Sequence, residues 1–260
     1  MEFNLTGKVA LVTGSSRGIG RNIAVTLAAE GCDVMVTGRD EDALKQVVAE
    51  IIKLGRKAAH SIVDLSKKDA AEVLSAAISK NFGRLDVLVN NAGATKRGDF
   101  LTLTNDDWQD GFALKFFGHV YLSRVLWPML QSSHGSIVFI AGTGARIPGQ
   151  DFTIGSSVNS ACIAFAKAIA DRGKHEGVQV NSINPGHTVT ERFDHQMEVR
   201  MKRLGQDKVT VREEYRKELD ITRFGLPEDI GNLVAFIVSS RGSWLHGATI
   251  DMDGGEVPGL

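Results

Sequence analysis

The feature that most constrains this chain is a glycine-rich turn set between a buried strand and a helix. Val9-Ala10-Leu11-Val12 is an unbroken apolar run with β-branched residues, the pattern of a strand covered on both faces in a parallel sheet. Thr13-Gly14-Ser15-Ser16-Arg17-Gly18-Ile19-Gly20 follows, then a helical pattern over residues 19–30 that Gly31 stops. Glycines at 14, 18 and 20 allow a tight strand-to-helix turn and close approach of a pyrophosphate to the backbone. The helix N-terminus behind them offers free N–H groups and a positive dipole end to an anion. A glycine-rich match alone is weak, and its place in a first βα unit gives it meaning.

The alternation continues along the chain. Strands are expected at 34–37, 58–63, 87–89, 136–140 and 179–183, and helices at 41–54, 70–82 and 156–174. A long helix is expected from about 106 to 130, broken near Pro128. This rhythm predicts an α/β fold of the Rossmann type: a doubly wound, mostly parallel sheet with helices on both faces, in one domain over residues 1–260. Residues 188–222 break the rhythm. They are charged, with helical pieces at 192–203 and 211–219, and they follow a strand end, where open α/β sheets bind ligands. A connection this long predicts a substrate lid.

Composition narrows the function. Hydrophobic residues make up 43% and charged residues 23% of 260, as in a water-soluble domain. A net charge of -1 argues against nucleic acid or a membrane surface as partner. Cys32 and Cys162 stand in neither a CxxC nor a ligand spacing, so buried thiols and no metal site are expected. No apolar stretch is long enough to span a bilayer, and the first strand starts by Val9, leaving no room for a signal peptide. A cytoplasmic location is the expectation.

The glycine-rich turn, together with Asn90-Asn91-Ala92-Gly93, resembles the TGxxxGxG and NNAG signatures of the short-chain dehydrogenase/reductase family. The resemblance runs over nearly the whole chain. Arg223-Phe224-Gly225-Leu226-Pro227-Glu228-Asp229 is similar to the family's RxGxPEE segment, and Asp251-Met252-Asp253-Gly254-Gly255 to its VDGG. It implies a dinucleotide site made by Gly14, Ser16, Arg17, Gly18, Ile19 and Gly20, with Asp64 and Leu65 at the adenine, Asn91, Ala92 and Gly93 beside the turn, and Pro185 and Gly186 at the nicotinamide. The second strand ends Thr37-Gly38-Arg39, where an acidic residue would bind a free ribose 2′-hydroxyl. Arg39 and Arg17 instead favour a 2′-phosphate, hence NADP(H) over NAD(H), although Asp40 stands next door. The family also implies a homodimer or homotetramer through the long middle helix and its successor, with Phe116, Phe117 and Phe165 as apolar candidates.

The family's chemistry rests on a Tyr-x-x-x-Lys pair and an upstream Ser. The stretch from Asn159 to Ala168 resembles KAALxxLTKA, which puts Asn159 at the Lys position, Gly155 at the Tyr position and Gly142 at the Ser position. The two tyrosines, Tyr121 and Tyr215, are followed four residues on by Val125 and Leu219, so no Tyr-x-x-x-Lys exists. The family's helix Asn reads Lys115 here. Asn and Lys have thus traded places, and the exchange would return an ammonium to about the same spot, where a dry pocket would make it a usable proton donor. Thr143 is a candidate for orienting a carbonyl, and His187 for proton transfer. Asp151, before the helix, reads as a helix-start residue. The space left at Gly155 would admit a bulky substrate or let the loop collapse.

The leading expectation is an atypical NADP(H)-dependent oxidoreductase acting on a small-molecule carbonyl or alcohol substrate, which the lid suggests is larger than an alcohol of two or three carbons. The alternatives are an NADP(H)-binding sensor or inactive subunit partner, and a non-redox lyase or dehydratase.

Overall fold

The computed structural model describes residues 3–259. Every residue of β1 (Val9–Thr13) is buried, as a central parallel strand requires. From it the chain runs outward through α1 (Gly18–Ala29), β2 (Asp33–Gly38), α2 (Glu41–Lys53) and β3 (Ala58–Ile62). It then returns by α3 (Ala70–Asn81) to β4 (Val87–Asn90), which pairs with β1 on its other side in the register Leu11–Leu88 and Val12–Val89. β5 (Ser136–Ile140), β6 (Gln179–Pro185) and β7 (Thr249–Met252) complete a seven-stranded parallel sheet in the order β3-β2-β1-β4-β5-β6-β7. The order reverses between β1 and β4, and a ligand crevice opens beyond the strand ends at such a reversal.

Two apolar layers cover the sheet. Ile23 and Leu27 of α1 pack with Val234 and Ile237 on one face. Leu74 of α3 packs with Leu122, Leu126, Leu130 and Phe139 on the other. The expected long helix is differently built. α4 (Asn105–Gly111) passes into a π-helical turn, Phe112–Phe117, and then α5 (Gly118–Ser132). The irregularity lies at this turn and not at Pro128, which sits inside α5. Pro128 and Arg124, whose carbonyl loses its helical donor, both lie on the exposed face of the helix. Turns of the π type are rare and recur at functional sites. This one carries Lys115.

α6 (Thr153–Glu176) starts three residues earlier than the expected 156. Residues beyond β6 form α7 (Glu191–Leu204) and α8 (Lys208–Glu218), close to the expected helical pieces. This excursion has its own small core of Phe193, Met197 and Val211, flanked by Tyr215 and Phe224. Its two ends are clasped by a bridge: Val189 N–H donates to Gly225 O at 2.8 Å, and Gly225 N–H to His187 O at 2.9 Å. Residues 223–229, read only as a motif, lead into α9 (Pro227–Val238), whose first turn is tied by Asp229 accepting from Leu226 N at 2.8 Å and pairing with Arg223 at 2.6 Å. No helix among the described residues is long and apolar enough to cross a membrane.

Candidate active site

A cavity of about 1010 Å³ occupies the crevice, and all fourteen residues expected to hold the cofactor line it. Gly14 and Gly18 adopt φ of 63° and 56°, the left-handed region that glycine enters without cost. A Cβ at Gly20 would collide with the Gly14 carbonyl oxygen and the Asn91 amide nitrogen. Asn91 is the clamp: its Nδ2 donates to Thr13 O at 2.8 Å, while Asn91 N and Ala92 N both donate to Thr13 Oγ1 at 2.9 Å. The two signature segments thus form one rigid cradle. No side chain caps the N-terminus of α1, so its first N–H groups are left for an anion. These features fit a dinucleotide pyrophosphate.

Arg17 and Arg39 both line the cavity, and Arg17 stands 3.8 Å from Glu191. Asp40 caps α2 by accepting from Ala43 N at 3.1 Å, which draws its carboxylate toward the helix. Asp64 accepts from Ser66 N and Oγ at 3.0 and 2.8 Å.

At the other end of the cavity Lys115 is half-buried. Its Nζ donates to Asn159 Oδ1 at 2.7 Å and to Ala141 O at 2.8 Å. Burial pushes its pKa down to about 8. The residues that had traded places therefore touch. Gly93 gives the lysine stem its path, since a Cβ there would lie 2.6 Å from Lys115 Cδ. One turn on, His119 Nε2 donates to Ala92 O at 2.8 Å, and burial pushes its pKa down to about 3, so it is neutral beside the ammonium. Gly142, at φ 151°, backs onto Asn159, and its N–H donates to Asn184 Oδ1 at 3.3 Å.

Gly155 is the one candidate position outside the cavity wall. The ring of Phe152 fills the space a side chain there would take, and the Arg97 guanidinium covers that ring at 4.0 Å from its centroid. Collapse of the loop, one of the two outcomes open at Gly155, is what the structure shows. Asp151, read as a helix-start residue, lies one residue before the α6 N-cap and pairs with Arg97 at 3.3 Å.

Thr143 is buried in the cavity wall. His187 also lines the cavity, between two residues that sequence reasoning passed over: its Nε2 lies 2.7 Å from Tyr215 Oη and its Nδ1 3.0 Å from Glu256 Oε2. Tyr215 had a signal, being one of two tyrosines and placed in the expected lid. Phe152, Arg97 and Glu256 had none, because only the folded chain brings them to the site. Among the described residues no group of three or more His, Cys, Asp or Glu could hold a metal ion.

Comparison with known proteins agrees with this architecture. Residues 8–200 match the family model described as short chain dehydrogenase. The chain is 31% identical over 267 residues to "Uncharacterized oxidoreductase YvaG" of Bacillus subtilis (strain 168), covering 99% of this chain and 98% of the relative. It superimposes with a TM-score of 0.96 on L-sorbose reductase from Gluconobacter frateurii complexed with NADPH and L-sorbose, at 29% identity and 100% coverage of both chains. A short chain dehydrogenase from Burkholderia cenocepacia J2315 in complex with NADP gives a TM-score of 0.84 at 30% identity, covering 97% of this chain and 99% of that one. With the sheet order, the glycine cradle and these full-length likenesses in agreement, the chain belongs to the short-chain dehydrogenase/reductase family.

Proposed function

We propose that this protein is an atypical NADP(H)-dependent oxidoreductase that interconverts a carbonyl and an alcohol, with Lys115 standing in for the family's missing Tyr–Lys pair. The observation that carries this reading is the half-buried Lys115 in the cavity wall, its ammonium held by Asn159 and Ala141. An ammonium has three N–H donors, and two are taken. The third is left for a substrate oxygen. At neutral pH the group is charged, so it stabilises negative charge forming on that oxygen, and with a pKa of about 8 it is also acidic enough to release a proton.

When bound, the nicotinamide supplies or accepts the hydride. The chain's own residues do the rest. Asn159 aims Lys115, Thr143 offers a hydroxyl to orient the carbonyl, and His187 serves proton transfer. NADP(H) is supported by the two solved relatives named above, which carry NADPH and NADP, and by Arg17 and Arg39 in the cavity wall with Asp40 drawn onto α2. Residues 188–222 act as the lid. Assembly as a homodimer or homotetramer through α5 and α6 belongs to the same reading; Phe117 is exposed, while Phe116 and Phe165 pack edge-to-face at 6.2 Å.

The test is deuterium transfer from 4-deuterated NADPH, labelled on either face, to a pool of ketones, aldehydes and oxoacyl thioesters, read by mass spectrometry. Labelled alcohol is the expected result. No label in any product, with NADPH binding confirmed, would make the protein a nucleotide sensor or an inactive partner subunit instead.

A further inference from the structure

We propose that Tyr215 is a catalytic residue: its hydroxyl, presented from the lid helix α8 and backed by His187 and Glu256, delivers the proton that ends on the substrate oxygen. This deepens the oxidoreductase reading and rests on it. Lys115 then keeps its proton and serves as a fixed positive charge.

Three separate segments converge to make the cluster. Tyr215 comes from α8, His187 from the turn after β6, and Glu256 from beyond β7, and all three line the same cavity as Lys115. The hydroxyl, imidazole and carboxylate form a chain with contacts of 2.7 and 3.0 Å. The Tyr215 and His187 rings stand at 87° to each other with centroids 5.2 Å apart. Glu256 is only 9% exposed, and His187 is its ion-pair partner. A buried carboxylate beside Nδ1 keeps a proton on that nitrogen, so Nε2 is the atom that exchanges protons with the phenol.

Packing alone does not call for this chain. The Tyr215 ring is already held by Phe224 at 6.1 Å and by the Arg200 guanidinium over its face at 4.7 Å. A phenylalanine would keep these ring contacts. What the hydroxyl adds is a phenol with an imidazole–carboxylate behind it, in a site whose core helix, α6, carries no tyrosine. The charged groups facing Tyr215 are Glu256, Arg97, Arg200 and Glu218. Asp253 lies close by, packed with Glu256 against Gly186.

The step balances as follows. With the imidazole protonated, its Nε2–H donates to Tyr215 Oη and leaves the phenol O–H free to face the substrate. A bound reduced nicotinamide would supply the hydride for the carbonyl carbon, and Lys115 would hold its ammonium beside the oxygen onto which the C=O π pair moves. The Tyr215 O–H bond breaks as the new substrate O–H bond forms. The Nε2 proton passes to the phenolate oxygen, leaving neutral His187 with Nδ1–H on Glu256. Solvent then returns one proton to the imidazole.

The test measures label transfer from 4-deuterated NADPH to the ketone, aldehyde and oxoacyl thioester pool across pH, in wild type, Tyr215→Phe, His187→Gln and Glu256→Gln. Alongside it, the His187 imidazole of the cofactor-free protein is titrated by ¹⁵N NMR, assigned from the resonance that His187→Gln removes. The expected result is a loss of roughly a hundredfold to ten-thousandfold in Tyr215→Phe with unchanged NADPH affinity. In Glu256→Gln label transfer should slow, and the His187 resonance should move as its carboxylate partner is lost. Wild-type rates in Tyr215→Phe would overturn the proposal and leave the Lys115 reading standing. An unmoved His187 titration in Glu256→Gln would overturn the relay even without turnover. No label transfer by the wild type would overturn both readings.

Discussion

Gly20 lines the cavity and Gly155 lies behind Phe152, which lines it too, and neither glycine leaves room for a side chain. Gly20 is hemmed in by the backbone oxygen of Gly14 and by Asn91, whose amide is itself tied to Thr13. The nearest obstacle at Gly155 is the ring of Phe152, a side chain on rotatable bonds. The first site is closed by rigid structure and the second by something that can swing away. The cofactor end is thus held by backbone geometry that tolerates almost no change. The reaction end is built from side chains, Lys115, Asn159 and Phe152 among them.

Removing the charge at the reaction end should have the largest effect. Lys115→Met should slow hydride transfer roughly a hundredfold to ten-thousandfold while leaving NADPH affinity intact, as single-turnover kinetics and calorimetry would show. Wild-type reduction should also decline above pH about 8 as Lys115 discharges. Stability should move the other way. Folded Lys115 releases its proton near 8 and the unfolded chain near 10.5, so raising pH through that window favours the fold. Comparing the stability profile of Lys115→Met with that of wild type isolates this contribution.

At the cofactor end, Gly20→Ala should weaken NADPH about a hundredfold, the scale of an overpacking cost of ~3 kcal/mol against fixed backbone. Unchanged affinity would break the contrast between the two ends. Arg39→Asp should cost roughly tenfold to a hundredfold in NADPH affinity and turn the preference toward NADH, measurable by paired titrations. The smallest effect is expected at the movable ring. Gly155→Ala should change stability by less than about 1 kcal/mol, because Phe152 yields and alanine favours the helix. A large drop in melting temperature would show that Phe152 is fixed, and the two ends equally rigid.

The parallel sheet was legible because each strand is an apolar run and each helix keeps its period, both local patterns. The cradle was legible because its glycines answer to φ and to close approach, which a motif records directly. The exchange between Lys115 and Asn159 was visible as two departures from the family pattern. The break in the middle helix was misplaced at Pro128, since nothing local in Phe112–Phe117 announces a π-helical turn.

The sequence by itself determined the fold class, the dinucleotide cradle and the absence of a Tyr-x-x-x-Lys pair, because these depend on residue type at fixed spacing. Only the tertiary structure decided that Lys115 meets Asn159 at 2.7 Å, that Phe152 fills the space beside Gly155, and that Tyr215, His187 and Glu256 join in one chain. Those contacts link residues far apart in the chain, across loop ends, and their geometry is set by how the sheet, the π turn and the excursion over the cavity pack together.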